Sequence, residues 1–173
     1  MSKKDLTITL YKSELIYEVQ NKTYLTGRSR HDGENHEQVA NMQAGDDDEH
    51  LNQILRSLGS AFSELKTKLA DFIELDEDQT ATNNKLLASF TDADNADNKL
   101  EIDLVMPANY NTATADAISS ACHNFIVNTA VADWYTLTAP GEAAPYASLA
   151  AVNIQQIRDA ANKRKAPERP EIA

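Results

Sequence analysis

Four stretches of this chain carry residue types that could do chemistry. "HEQVA", from His36 to Ala40, opens like the helix of a zinc protease. That chemistry needs two histidines one helical turn apart so that both imidazoles meet one metal. The second position is Ala40, so His36 stands alone and no metal is expected there. "DADNADN", from Asp92 to Asn98, clusters the carboxylates and amides that hard cations prefer. A helical calcium loop also needs glycine at its sixth position, which here is Asp97, so a solvated loop tip is the expectation. Cys122 and His123 offer a thiol beside a base, but adjacent helix positions point apart. Cys122 moreover falls in an apolar stripe, where a thiol behaves as a small hydrophobe. "KRK", Lys163, Arg164 and Lys165, joins Arg158 and Arg169 in a basic C-terminal region. Without interleaved aromatics it is a weak nucleic-acid signal, and it suits a helix C-terminus or an acidic neighbour better. The five glycines form no phosphate-binding loop. Neither a catalytic residue nor a cofactor is expected, and the chain does not read as an enzyme.

Charge and composition bound the remaining possibilities. The 173 residues suffice for one domain with a real core, and 42% hydrophobic with 25% charged content is that of a folded protein. The single cysteine rules out an intrachain disulfide and suits synthesis in a reducing, intracellular setting. The N-terminus lacks a signal-peptide pattern and no apolar run reaches membrane length, so a soluble protein without a membrane partner is expected. Net charge is −11, unevenly spread. Residues 1–30 hold six basic against three acidic side chains; residues 31–104 hold five against eighteen; residues 105–173 hold five against six. An acidic middle between more basic ends argues against general nucleic-acid binding; it is first of all the pattern of a solvated acidic surface, and it also suits contact between unlike ends of neighbouring copies.

The elements that must position these residues are mostly helical. Leu6, Ile8 and Leu10 alternate with threonines, as in a short half-buried strand. Ser13 is placed to cap a helix carrying Leu15, Ile16 and Val19, with Tyr11 packed back on its first turn and the helix fading before Gly27. "HEQVANMQ" reads as a short helix. Leu51, Ile54, Leu55, Leu58, Phe62, Leu65, Leu69, Phe72 and Ile73 recur at steps of three and four, predicting a helix of seven turns, about 40 Å, capped by Asp46 with Glu49 completing the box. "KLLASF" and "KLEIDLVM" read as strands of a hairpin whose acidic tip is "TDADNADN". After Pro107 comes a helix over 113–138, apolar on nearly every side and closing on Trp134 and Tyr135. So wide a stripe predicts cover on two sides, with the aromatic pair at an end only partly buried. Pro145 is expected in the first turn of a last helix. The fold class is therefore α+β and mainly helical: long amphipathic helices, a short N-terminal strand and a β-hairpin with an acidic tip. A single domain over 1–162 is followed by an extended basic, proline-containing tail over 163–173.

The stretch "LEIDLVMPANYNTATADAISSACHNFIVNTAVADWY" and the following "APYASLAAVNIQQIRDAANKRKAPERP" resemble, as strand, proline, apolar helix and last helix, the head–tail connector (adaptor or ring) proteins of tailed bacteriophages, including crAss-like phages. The resemblance implies a structural virion protein located in the neck or tail and made in the host cytoplasm. It implies about twelve copies in a closed ring, seated between the portal and further neck and tail proteins. DNA would pass through the ring without specific binding, because an acidic lumen repels phosphate. Trp134, Tyr135, Tyr146, Arg158, Lys163, Arg164, Lys165 and Arg169 are the expected subunit or partner contacts. The competing reading is a small acidic cytoplasmic interaction module, an adaptor or inhibitor that binds a basic partner.

Overall fold

The structure, a computed structural model, describes residues 3–73 and 99–168. Strand β1 (Lys4–Tyr11) runs directly into helix α1 (Lys12–Ser29). Then come α2 (His36–Met42), α3 (Asp48–Lys68) and a 3-10 turn (Ala70–Phe72). Strand β2 (Lys99–Met106), a 3-10 turn (Thr112–Thr114), α4 (Ala115–Thr138) and α5 (Pro140–Ala161) complete the order. The chain is mainly helical α+β, with a two-stranded antiparallel sheet.

The sheet pairs the N-terminal strand with β2, in register from Lys4 opposite Met106 to Tyr11 opposite Lys99. Period-two patterning puts Ile8 and Leu10 of β1 and Leu100, Ile102, Leu104 and Met106 of β2 on one buried face. Thr7 and Asp103 lie opposite each other on the exposed face, joined by a 2.7 Å hydrogen bond. The other edge of β2 carries a bridge from Ile73 to Leu104. The 85–90 run and the 91–98 tip, which the expected hairpin needs, lie outside the described residues.

Helix α4 is the axis of the molecule. It packs against α1, α2, α3, α5 and β1, and half of its 24 residues are buried. That is what the broad apolar surface of this helix serves: cover on several sides within one chain. Tyr110, Ile118, Cys122, Ile126, Val131 and Tyr135 from this region join Leu15, Val19, Leu58 and Leu65 in one continuous core.

Several boundaries differ from the sequence expectation, each for a local reason. Helix α1 needs no Ser13 cap, because it begins where strand pairing stops; Tyr11 stays 47% exposed, with the Lys99 ammonium 5.7 Å from its ring centroid. It also continues past Gly27. A Cβ at that position would lie 3.1 Å from Gln43 Cγ and 3.3 Å from the Val39 carbonyl oxygen, so glycine lets α2 approach. Asp47, not Asp46, caps α3 by accepting from the His50 N–H at 2.9 Å, while Asp46 accepts from the Gln20 amide at 2.8 Å. The helix spans 21 residues, about 31 Å rather than the expected 40. Helix α5 starts at Pro140, and Pro145 lies inside it. A proline five residues from the start removes only one ladder bond, close to the end where donors are already unpaired.

Candidate interaction surface

The chemistry-bearing residues do not converge. His36 begins α2, and its Nδ1 lies 2.8 Å from Nε2 of His31 on the surface. Among the described residues, no group of three His, Cys, Asp or Glu side chains is arranged to hold a metal. Asp92–Asn98 lies outside the described residues. Cys122 is buried, and burial pushes its thiol up to about 12, far from a reactive thiolate. His123 turns away from it, bringing Nε2 to 2.5 Å from Glu18 Oε2 and tying α4 to α1.

The expected contact residues divide into two groups. Trp134 and Tyr135 are core residues, not a half-exposed rim: they are 5% and 0% exposed. The Trp134 indole donates to the Met42 carbonyl at 2.8 Å, and the Tyr135 ring lies 5.6 Å from that of Tyr146. Their side chains are spent inside the chain, because α2 and α5 fold over the end of α4 that the sequence leaves uncovered. Tyr146 is half-buried, its hydroxyl 2.6 Å from that of Thr26 on α1. Arg158, Lys163, Arg164 and Lys165 are exposed, and Arg169 lies outside the described residues.

The segment after α5 is extended but held by the same chain. Asn111 N–H donates to the Lys163 carbonyl at 3.1 Å, Lys165 N–H donates to the Asn109 carbonyl at 2.8 Å, and Tyr110 bridges Arg164. The Thr114 hydroxyl donates to the Ala160 carbonyl at 2.9 Å, fastening the end of α5 to the start of α4. This return places Lys163, Arg164 and Lys165 beside Lys4, whose ammonium donates to the Tyr110 carbonyl at 3.0 Å. The sequence separates these two basic groups by more than 150 positions, so their meeting was not legible in it.

Two further features emerge only in three dimensions. A cleft of about 500 Å³ opens between α3, α4 and α5. Glu64 and Asp133 line it together with Lys68 and Arg158, over a floor containing Ala147, Ala150 and Ala151. The Thr129 hydroxyl in its wall is buried without a hydrogen-bond partner among the described residues. Burial first, then the neighbouring Glu64 carboxylate, raises the Asp133 carboxyl above its ordinary value, with a Ser57 hydrogen bond opposing. The lining of the cleft mixes acidic and basic side chains with small apolar ones. The second feature is apolar. Tyr17, Tyr24 and Leu25 on α1 and Leu149 and Val152 on α5 are 43–62% exposed. A hydrogen bond between the Thr26 and Tyr146 hydroxyls, 2.6 Å, joins the two helices.

The chain matches no protein-family model, no curated protein and no solved structure. No helix among the described residues is long and apolar enough to cross a membrane.

Proposed function

We propose that this protein is a structural subunit that works by assembling with copies of itself, as a ring in the neck of a tailed-phage virion. The observation that carries the reading is the set of large apolar side chains left uncovered along α1 and α5. Large apolar side chains left exposed on helices suit burial on association. Two features add support. Polar groups at the centre of the molecule are engaged in joining its own helices: Glu18 with His123, Lys22 with Asn128, and Asn128 with Asn153. The two segments that resemble connector proteins correspond to β2, α4 and α5, with α4 as the axis about which the other elements pack. A net charge of −11 suits a channel wall along which DNA slides without adhering.

The test is the native mass of the purified protein over a wide concentration range, with electron microscopy of any large species. Closed rings of about a dozen copies are the expected result. A discrete dimer would instead favour the acidic interaction module, and a monomer at every concentration would count against self-assembly.

A further inference from the structure

The fold gathers a basic cluster at one end of α4, beside Asp116 and Asp159, and an acidic cluster at the other. At its N-terminal end the first strand and the last segment meet: the Lys4 ammonium donates to Tyr110, and Lys165 and Lys163 pair through their backbones with Asn109 and Asn111. Lys4 and Lys165 stand close enough for their side chains to interact, and Arg164 turns its guanidinium onto the Ala161 and Lys163 carbonyls. Among the described residues, none of Lys4, Lys163, Arg164 and Lys165 is in an ion pair. Partial desolvation and then the Lys165 charge make the Lys4 ammonium easier to deprotonate, as expected of like charges held together without a counter-charge.

Near the opposite end of α4 lies an acidic cluster, with Arg28 and the Arg30–Glu142 pair on the same side of the molecule. The His50 ring packs edge-on against Trp134 with centroids 4.9 Å apart, which seats the start of α3 there. Asp47, Asp48 and Glu49 are exposed around that start, and Asp46 beside them is held by Gln20. Thr114, at the basic end, and Trp134, at the acidic end, are separated by about 30 Å of helix. Two unlike poles at opposite ends of one rigid axis cannot satisfy each other within a chain.

We infer that the Lys4–Lys163–Arg164–Lys165 corner is a docking site for the acidic α3 end of a second copy, giving head-to-tail association. Such an interface is heterologous: each copy donates one pole and accepts the other, and repetition closes into a ring when the rotation allows. The inference rests on the self-assembly reading above and names the surfaces that carry it. In a closed ring of such contacts both poles of every subunit are occupied. It also orders the events: the poles steer encounter over a distance of the order of the Debye length, about 10 Å at 0.1 M salt.

The experiment is a charge swap read by analytical ultracentrifugation at low salt. One variant carries Lys163→Glu and Lys165→Glu; the other carries Asp48→Lys and Glu49→Lys, which leave the Asp47 cap untouched. Far-ultraviolet circular dichroism and melting confirm that each folds. Each variant alone should self-associate at least about tenfold more weakly than the unmodified chain, and the two mixed should regain association in pairs, since the intact basic corner of the Asp48→Lys/Glu49→Lys chain meets the intact acidic α3 end of the Lys163→Glu/Lys165→Glu chain. If the unmodified chain assembles and neither swap alters its mass, this pairing is wrong while self-assembly stands. If the unmodified chain is monomeric throughout, both readings fall. Binding of duplex DNA by the monomer, lost in Lys163→Glu/Lys165→Glu, would assign the corner to nucleic acid instead.

Discussion

Asn128 on α4 donates through Nδ2 to Oδ1 of Asn153 on α5 at 2.8 Å, with both side chains buried. The bond is the middle of a chain of contacts, since the Lys22 ammonium donates to Asn128 Oδ1 at 3.0 Å and Asn153 donates to Gln156 at 3.0 Å. Three helices are thereby held in one register by groups that cannot be left unpaired cheaply. Asn128→Leu alone should cost about 2–3 kcal/mol, because it strands the Asn153 carbonyl and desolvates the Lys22 end. Asn128→Leu/Asn153→Leu should cost less than the sum of the two single changes. Urea unfolding of the four-member mutant cycle measures this coupling; strict additivity would mean the bond contributes nothing.

Trp134 reports on the same end of the molecule. It is the sole tryptophan, 5% exposed, and its indole N–H is satisfied by Met42. Its emission should be blue-shifted in the folded chain and move to the red on unfolding. Trp134→Phe keeps an aromatic ring but leaves the Met42 carbonyl without its donor, and should destabilise by about 1–2 kcal/mol in chemical denaturation.

Gly27 sits in helix α1, where alanine is ordinarily favoured by about 1 kcal/mol. Here the added Cβ would press on Gln43 and on the Val39 carbonyl. Gly27→Ala should therefore fail to stabilise and should lower the melting midpoint, by a loss of about 1 kcal/mol. Gly27→Val, with two more methyl groups against α2, should be worse.

Glu142 supplies a pH dependence of known sign. The Arg30 guanidinium grips it through two bonds, 2.8 and 3.1 Å, and holds its carboxyl below the usual 4.5. A carboxylate with a depressed value stabilises the fold above its unfolded pKa and loses that contribution as pH falls through the folded value. The pair is substantially open to solvent, so its contribution to stability is small. Arg30→Ala should lower the melting midpoint at pH 7, and the difference from the unmodified chain should vanish under acid conditions below the folded value.

Cys122 should be silent while the chain is folded. Its buried thiol, raised to about 12, gives almost no thiolate near neutral pH. Labelling by a disulfide reagent should require opening of the core and should accelerate with urea in step with the loss of Trp134 burial. Fast labelling of the native chain would contradict the packing described for α4.

The elements and their faces were legible in the sequence where one local signal dominates. The alternation of Leu6, Ile8 and Leu10 gave a strand, and the spacing from Leu51 to Leu69 gave α3, because burial on one side imposes a period on a helix or strand. The breadth of the apolar surface on α4 announced that it would be covered on more than one side. Cap choice was less legible, since Asp46, Asp47 and Asp48 are equivalent until Gln20 takes one of them.

Partner choice was decided only by the tertiary structure. Nothing local in "KLEIDLVM" says that it pairs with residues 4–11, almost a hundred positions away, because either edge of an amphipathic strand can accept any strand of matching pattern. Trp134 and Tyr135 read as a partly buried end because the helices that cover them, α2 and α5, enter from other parts of the chain. The sequence by itself determined the helical class, the dominant apolar helix and the excess of negative charge. It could not place Lys4 beside Lys165, or set the acidic start of α3 at the far end of α4. Charge sums along a chain are properties of composition, whereas an electric pole is a property of where the backbone brings those charges together.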